Sequence, residues 1–168
     1  MTFGDVHVYE TKVQFEDLDM GGVVHHPNYL KFYERARVAA MESTSYSHAQ
    51  MWDAGIAMAV AEAYLNYRKP LRIYQDLFIC TKVVGVLKSH FKVVQAICGL
   101  RPSRDALKQA GEDFSKLPEL CHFAAIRLVC IDVKAMKSVS PPETLLGAFG
   151  VSSGQTLPES ARQVRILT

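Results

Sequence analysis

With 168 residues, 49% of them apolar and 21% charged, the chain has the size and composition of one ordinary globular domain, which excludes intrinsic disorder as its default state. Its 19 basic and 17 acidic residues leave a formal charge of +2, and no run of Lys or Arg exceeds two residues, so the basic stripe of a nucleic-acid binder is missing. No apolar stretch reaches the ~18 residues of a membrane span, and Met1–Glu10 lacks the basic-then-apolar order of a signal peptide, so a cytoplasmic protein is expected.

In chain order, residues 5–15 alternate apolar Val6, Val8, Val13 and Phe15 with polar His7, Glu10, Lys12 and Gln14, which predicts a strand with one buried face. A loop from Glu16 to Pro27 follows, dense in acids, glycines and histidines. Asn28 then has the character of a helix N-cap, and Tyr29–Ser43 has helical period, with Tyr29, Phe32, Tyr33, Ala36, Ala39 and Ala40 on one face. A short helical turn over Ser47–Asp53 precedes Gly55. Strand-like runs occupy Ile56–Arg68, Asp76–Leu87 and Lys88–Leu100, the last two joined tightly near Leu87–Ser89 as a hairpin. Residues 101–118 turn polar and are expected to form an inserted loop or short helix. His122–Val133 returns to strand, and Pro141–Pro142 opens a short helix through Phe149. One domain over 1–149 is expected, with an irregular tail at 150–168. The fold class is α+β, an antiparallel sheet packed on one long helix. The cysteines at 80, 98, 121 and 130 form no C-x-x-C pair and lie in apolar runs, which reads as buried reduced thiols.

Candidate chemistry concentrates in residues 13–29. Asp17, Asp19, Gly21, Gly22, His25 and His26 lie within about a dozen residues and lead into the positive end of a helix. A carboxylate here has the means to act as base or nucleophile, and glycines allow close backbone approach to a ligand. Spacing alone leaves the opposite reading open, with Asp17 and Asp19 bonding local amides and the histidines filling space. Adjacent His25 and His26 lack the i,i+4 arrangement of a helical zinc site, and no metal is expected.

The run Phe15, Glu16, Asp17, Asp19, Gly21, Gly22, Val23, Val24, His26, Asn28, Tyr29, Phe32, Tyr33, Glu34, Arg35, Ala36, Arg37 resembles the signature of the 4-hydroxybenzoyl-CoA thioesterase family, and within it the small bacterial-type acyl-CoA thioesterases. The resemblance implies a hotdog fold, in which the sheet wraps the long helix. It implies a homodimer or homotetramer with active sites at subunit interfaces, and acyl-CoA hydrolysis without a cofactor or metal. Carried over, Asp19 is the nucleophile or general base, His26 assists, and Asp17 holds the loop. Gly22 and Val23 bring backbone amides to the substrate, and Lys88 with Ser89 resembles a nucleotide-contacting position; on the residues alone, Tyr29 with Phe32 and Tyr33 either lines an acyl or aryl substrate pocket or fills the core. His25 departs from the family, where an aromatic residue is commoner. A hotdog hydratase is a second reading, but its pattern resembles D-x-N-P-x-H, whereas here His26 follows Asp19 by seven residues and precedes Pro27. A non-catalytic acyl-CoA or acyl-carrier binding protein is a third, disfavoured by the presence of both Asp19 and His26.

Overall fold

The computed structural model describes residues 5–149. The alternating start forms β1 (His7–Lys12), and the helical period forms α1 (Asn28–Glu42). A second helix, α2 (His48–Asp53), begins at Ser47, whose hydroxyl accepts from the Gln50 amide while the Gln50 side chain accepts from the Ser47 amide. Then come β2 (Ile56–Tyr67), β3 (Asp76–Leu87) and β4 (His90–Cys98). The expected insert contains α3 (Arg104–Ala110) and a 3₁₀ turn at Phe114–Lys116. The chain continues through β5 (Leu120–Asp132), a two-residue β6 (Lys137–Ser138) and α4 (Glu143–Ala148). The expected C-terminal tail lies outside the described residues.

All strand pairs are antiparallel, in the order β1-β3-β4-β5-β2, with β6 added to β5. The β3–β4 hairpin closes through two residues, with Lys88 in the left-handed region at φ 50°. The sheet curls around α1, which buries Tyr29, Phe32, Tyr33, Ala36 and Ala40, spaced by three and four residues. This is the α+β hotdog architecture. α1 packs on the inner face of the sheet against Leu77, Ile79, Val93, Ile97 and Ile126. A polar knot threads this core. Gln95 donates to the Tyr33 carbonyl and the Thr81 hydroxyl, and accepts from Arg37 at 2.8 Å. Arg37 also pairs with Glu34 one turn back.

The outer face carries a second core. Cys80, Val84, Val94, Ala96 and Cys98 meet Ala110, Phe114 and Leu117 of the insert. Phe114 is fully buried, a contribution of about 2–3 kcal/mol from its apolar surface. All four cysteines are free thiols and buried. No helix among the described residues is long and apolar enough to cross a membrane.

Candidate active site

The loop after β1 is organised by Asp17, which is buried. Its carboxylate accepts from the Gln14 amide at 2.8 Å, while its carbonyl accepts from the His25 amide and the Asn28 side chain. Asn28 thus lies inside α1, with Pro27 at the N-cap position, and its amide ties the helix start to the loop instead of capping the helix. The expected N-cap role fails because Asp17 offers a buried acceptor eleven residues back.

Between Leu18 and Val24, which bridge antiparallel, the chain makes a tight reversal. The Gly22 amide donates to the Asp19 carbonyl and the Asp19 amide to the Val23 carbonyl. Gly22 has φ 73°, a backbone angle that L side chains rarely adopt. The Gly21 amide donates to Asp19 Oδ1 at 2.7 Å. Gly21 matters for a different reason: a Cβ there would stand 3.0 Å from that same oxygen, so the carboxylate would have to shift by a few tenths of an ångström. Asp19 is therefore held by one carboxylate oxygen at the exposed tip of a stiff turn. Its other oxygen has no hydrogen-bond partner among the described residues.

His25 and His26 are exposed, their rings in edge-to-face contact with centroids 4.7 Å apart. The His26 carbonyl accepts from the Tyr67 hydroxyl at 3.1 Å, which ties the helix entry to the end of β2. Tyr29 is buried and packs edge-on against Tyr67, with centroids 5.0 Å apart. Burial raises the Tyr29 pKa, a backbone hydrogen bond from Leu71 opposes that, and the nearby negative charge of Asp19 adds to the rise. Tyr29 thus lies within electrostatic reach of the Asp19 carboxylate while contributing to the core.

Beneath these tyrosines lies His122 of β5, fully buried and directly across from Tyr67 in the sheet register. Its ring centroid is 4.4 Å from that of Tyr67 and 4.7 Å from that of Tyr29. Burial pushes its pKa down to about 4. Neither Tyr67 nor His122 stood out in the sequence as part of this site. The sequence offers only Tyr67 just ahead of Arg68-Lys69-Pro70, where a strand ends, and a lone histidine among apolar residues.

Within one chain the expected residues divide into two groups. Asp19, Gly22, Val23, His26 and Tyr29 gather at the end of the sheet marked by Tyr67 and Leu71. Lys88 and Ser89 lie at the other end, where His90 pairs with Val129 and Val129 with Ala59 near the start of β2. Ser89 is buried, and its carbonyl accepts from the Cys130 amide at 2.7 Å; Lys88 is exposed. At that same end an apolar cavity of about 430 Å³ opens between α1, α2 and the sheet, lined by residues including Met41, Met51, Trp52, Met58, Phe91 and Phe149.

Residues 13–149 match the family model described as "Thioesterase-like superfamily", most of the chain. The chain belongs to the thioesterase-like superfamily. Its reaction class is accordingly thioester hydrolysis. The Acyl-CoA thioester hydrolase YbgC of Escherichia coli O6:H1 is 26% identical over 141 residues, spanning 84% of this chain and 93% of that protein. A protein of Aquifex aeolicus (strain VF5) is 38% identical over 71 residues, 42% of this chain and 55% of that one, so the chain spans about half the length of that relative. Among solved structures, the DHNA-CoA thioesterase from Staphylococcus aureus superposes with a TM-score of 0.67 at 21% identity, covering 80% of each chain, which supports the hotdog fold of this superfamily member.

Proposed function

We propose that this thioesterase hydrolyses acyl-CoA thioesters to free acid and CoA, with Asp19 as nucleophile or general base and His26 assisting. The observation that carries the reading is the Asp19 carboxylate, anchored at one oxygen by the Gly21 amide and free at the other on an exposed turn. A group fixed at one oxygen keeps the other aimed, which is the positioning that attack on a carbonyl needs. Thiolate is a good leaving group, so the enzyme's task is chiefly to orient the thioester and stabilise the oxyanion. The Gly22 amide is engaged in the turn, whereas the Val23 amide makes none of the loop's hydrogen bonds, so Val23 is the better donor to a developing oxyanion. The entry of α1 adds the positive end of a 15-residue helix beside His26.

The working unit in this reading is a dimer. β2 is a 12-residue edge strand whose only strand partner among the described residues is β5, with Val60 half exposed. Such an edge invites pairing with another strand. Antiparallel pairing of β2 with its copy sets the Tyr67 end of one chain beside the Ile56 end of the other. Asp19 and His26 of one protomer then face the apolar cavity and the Lys88–Ser89 hairpin of its partner. The acyl group occupies the cavity, and the exposed Lys88 ammonium approaches the CoA phosphates.

The test is free-thiol release from short-chain, long-chain and aromatic acyl-CoAs by wild type and Asp19→Asn. Turnover that collapses in the variant while fold and oligomer persist supports the reading. No turnover on any acyl-CoA by wild type overturns it, and equal acyl-CoA binding without hydrolysis by both proteins points to a binding protein.

A further inference from the structure

The insert builds a second concavity away from the Asp19 loop. It is an open pocket of about 690 Å³ at the β1 edge of the sheet, between β1, β3 and α3. This edge is the opposite end of the strand order from β2. His7, in its wall, lies five residues along β1 from Lys12, where the strand runs into the Asp19 loop, so roughly 16 Å of strand separates the two regions.

Three cationic side chains line this pocket from two elements, Lys82 of β3 and Arg104 and Lys108 of α3. The Lys82 ammonium donates to the Gly111 carbonyl at 2.9 Å, which fixes it at the C-terminal end of α3 with two N–H donors to spare. Arg104 and Lys108 are spaced i,i+4 and share one face of a seven-residue helix. Like charges at that spacing repel weakly, and an anion bound between them relieves the repulsion. The other cations bordering the insert are matched: Arg101 pairs with Glu10 at 2.6 Å and Lys116 with Asp113 at 3.0 Å. Among the described residues Arg104 and Lys108 have no such carboxylate, and Asp5 is the one acid in the lining. His7 Nδ1, in the same wall, is buried and has no hydrogen-bond partner among the described residues.

Arginine offers a planar fork of donors that fits a phosphate, and lysine adds point charges, so two lysines and an arginine converging on a pocket of small-molecule size suit a phosphorylated ligand. We propose that this pocket, formed by Lys82, Arg104 and Lys108 with His7 in its wall, binds a phosphate-bearing small molecule and is separate from the thioester site. The phosphate belongs either to a free phosphorylated compound or to the nucleotide end of a second CoA molecule, distinct from the substrate whose phosphates face Lys88, and the chemistry of recognition is the same.

The experiment is an amide-resolved NMR titration of the full chain with inorganic pyrophosphate and, separately, with adenosine 3′,5′-bisphosphate. It uses wild type, Arg104→Gln/Lys108→Gln and Asp19→Asn. Saturable shifts at the amides of His7, Lys82, Lys108 and Gly111 are expected in wild type and in Asp19→Asn. The double variant is expected to bind at least about tenfold more weakly, by loss of two charge-assisted contacts. Because the double change relieves repulsion on an exposed helix face, its unliganded Tm should equal or exceed that of wild type, so weaker binding would not reflect unfolding. Equal affinity for the two probes assigns the site to phosphate groups alone, and tighter binding of the bisphosphate assigns it to the nucleotide end of CoA. Absence of saturable shifts at these amides with both probes, or undiminished binding in the double variant, overturns the proposal.

Discussion

Tyr33 and His122, 89 residues apart in sequence, meet at 2.6 Å between the phenol oxygen and the imidazole Nδ1 in the fully buried core. Burial holds the Tyr33 pKa well above its ordinary value, so the phenol keeps its proton and has one to donate. Donation from that phenol to Nδ1 goes with the neutral His122 tautomer that carries its hydrogen on Nε2. That nitrogen has no hydrogen-bond partner among the described residues and sits among the rings of Tyr29 and Tyr67. Because Tyr67 holds the His26 carbonyl, the buried pair underpins the entry of α1.

The pair predicts how stability depends on pH. The folded pKa of His122 lies near 4, below the ordinary 6.5, so the unfolded chain takes up its proton first as the medium is acidified. Stability is therefore full above about pH 6.5 and falls as pH drops toward 4, by an amount on the order of 3 kcal/mol for a shift of this size. Urea unfolding at a series of pH values should show this slope in wild type and a shallower one in His122→Asn. Equal slopes in the two proteins would remove His122 from the acid response.

Tyr33→Phe deletes the donor and leaves Nδ1 buried without a partner. A loss of about 1–3 kcal/mol is expected, with the oligomer retained. Denaturant midpoints at constant m-value measure it. A neutral result would mean that the histidine adopts its other tautomer and finds an acceptor elsewhere.

Asp19→Asn keeps the shape of the side chain and the bond from the Gly21 amide while removing the charge that the proposed reaction uses. Its kcat should fall by roughly 10²–10⁴, with little change in KM or Tm. Stopped-flow thiol release in single turnover separates the chemical step from product release. A kcat within a few-fold of wild type would exclude Asp19 from the reaction.

Gly21→Ala tests positioning. Its methyl group would meet Asp19 Oδ1 at 3.0 Å, so the carboxylate must shift by a few tenths of an ångström. Activity should drop by about 10-fold to 100-fold, since small misplacements of a reacting group are costly. Gly22→Ala instead strains a φ of 73°, and about 1 kcal/mol of stability should be lost. Steady-state kinetics beside thermal melts distinguishes the two variants, and equal losses in both measurements would contradict this division.

Val60→Lys places a charge in the middle of the exposed edge strand β2. The variant should shift toward monomer in light scattering and lose thioesterase activity with its partner, while the protomer stays folded. Activity retained by a monomer would show that one chain holds a complete site.

The strands and the long helix were legible because their periodicities are strong. The α1 face from Tyr29 to Ala40 packs as its three-and-four spacing requires, and the hairpin closes at Lys88–Ser89. The roles of Asn28 and His122 were not legible, since each depends on a partner brought close only by folding: the Asp17 carbonyl for one, Tyr33 and Tyr67 for the other. The two-residue β6 carries no pattern of its own and exists because Ile131 and Asp132 offer free edge groups. The Asp19 turn falls between these cases. Its residue types marked a candidate site, but which amides would be consumed within the turn depends on backbone geometry that composition does not encode.

The outer-face core has a consequence for how the proposed dimer can stack. A bare sheet can lie back to back against another at about 10 Å, strand against strand. Here α3 and the turn carrying Phe114 already cover the outer surface of β3 and β4. A second dimer approaching from that side would meet helix and turn instead of strands. In the proposed dimer, stacking over β3 and β4 would therefore have to involve the insert itself, and shortening residues 101–118 is expected to expose an apolar sheet face where new stacking begins.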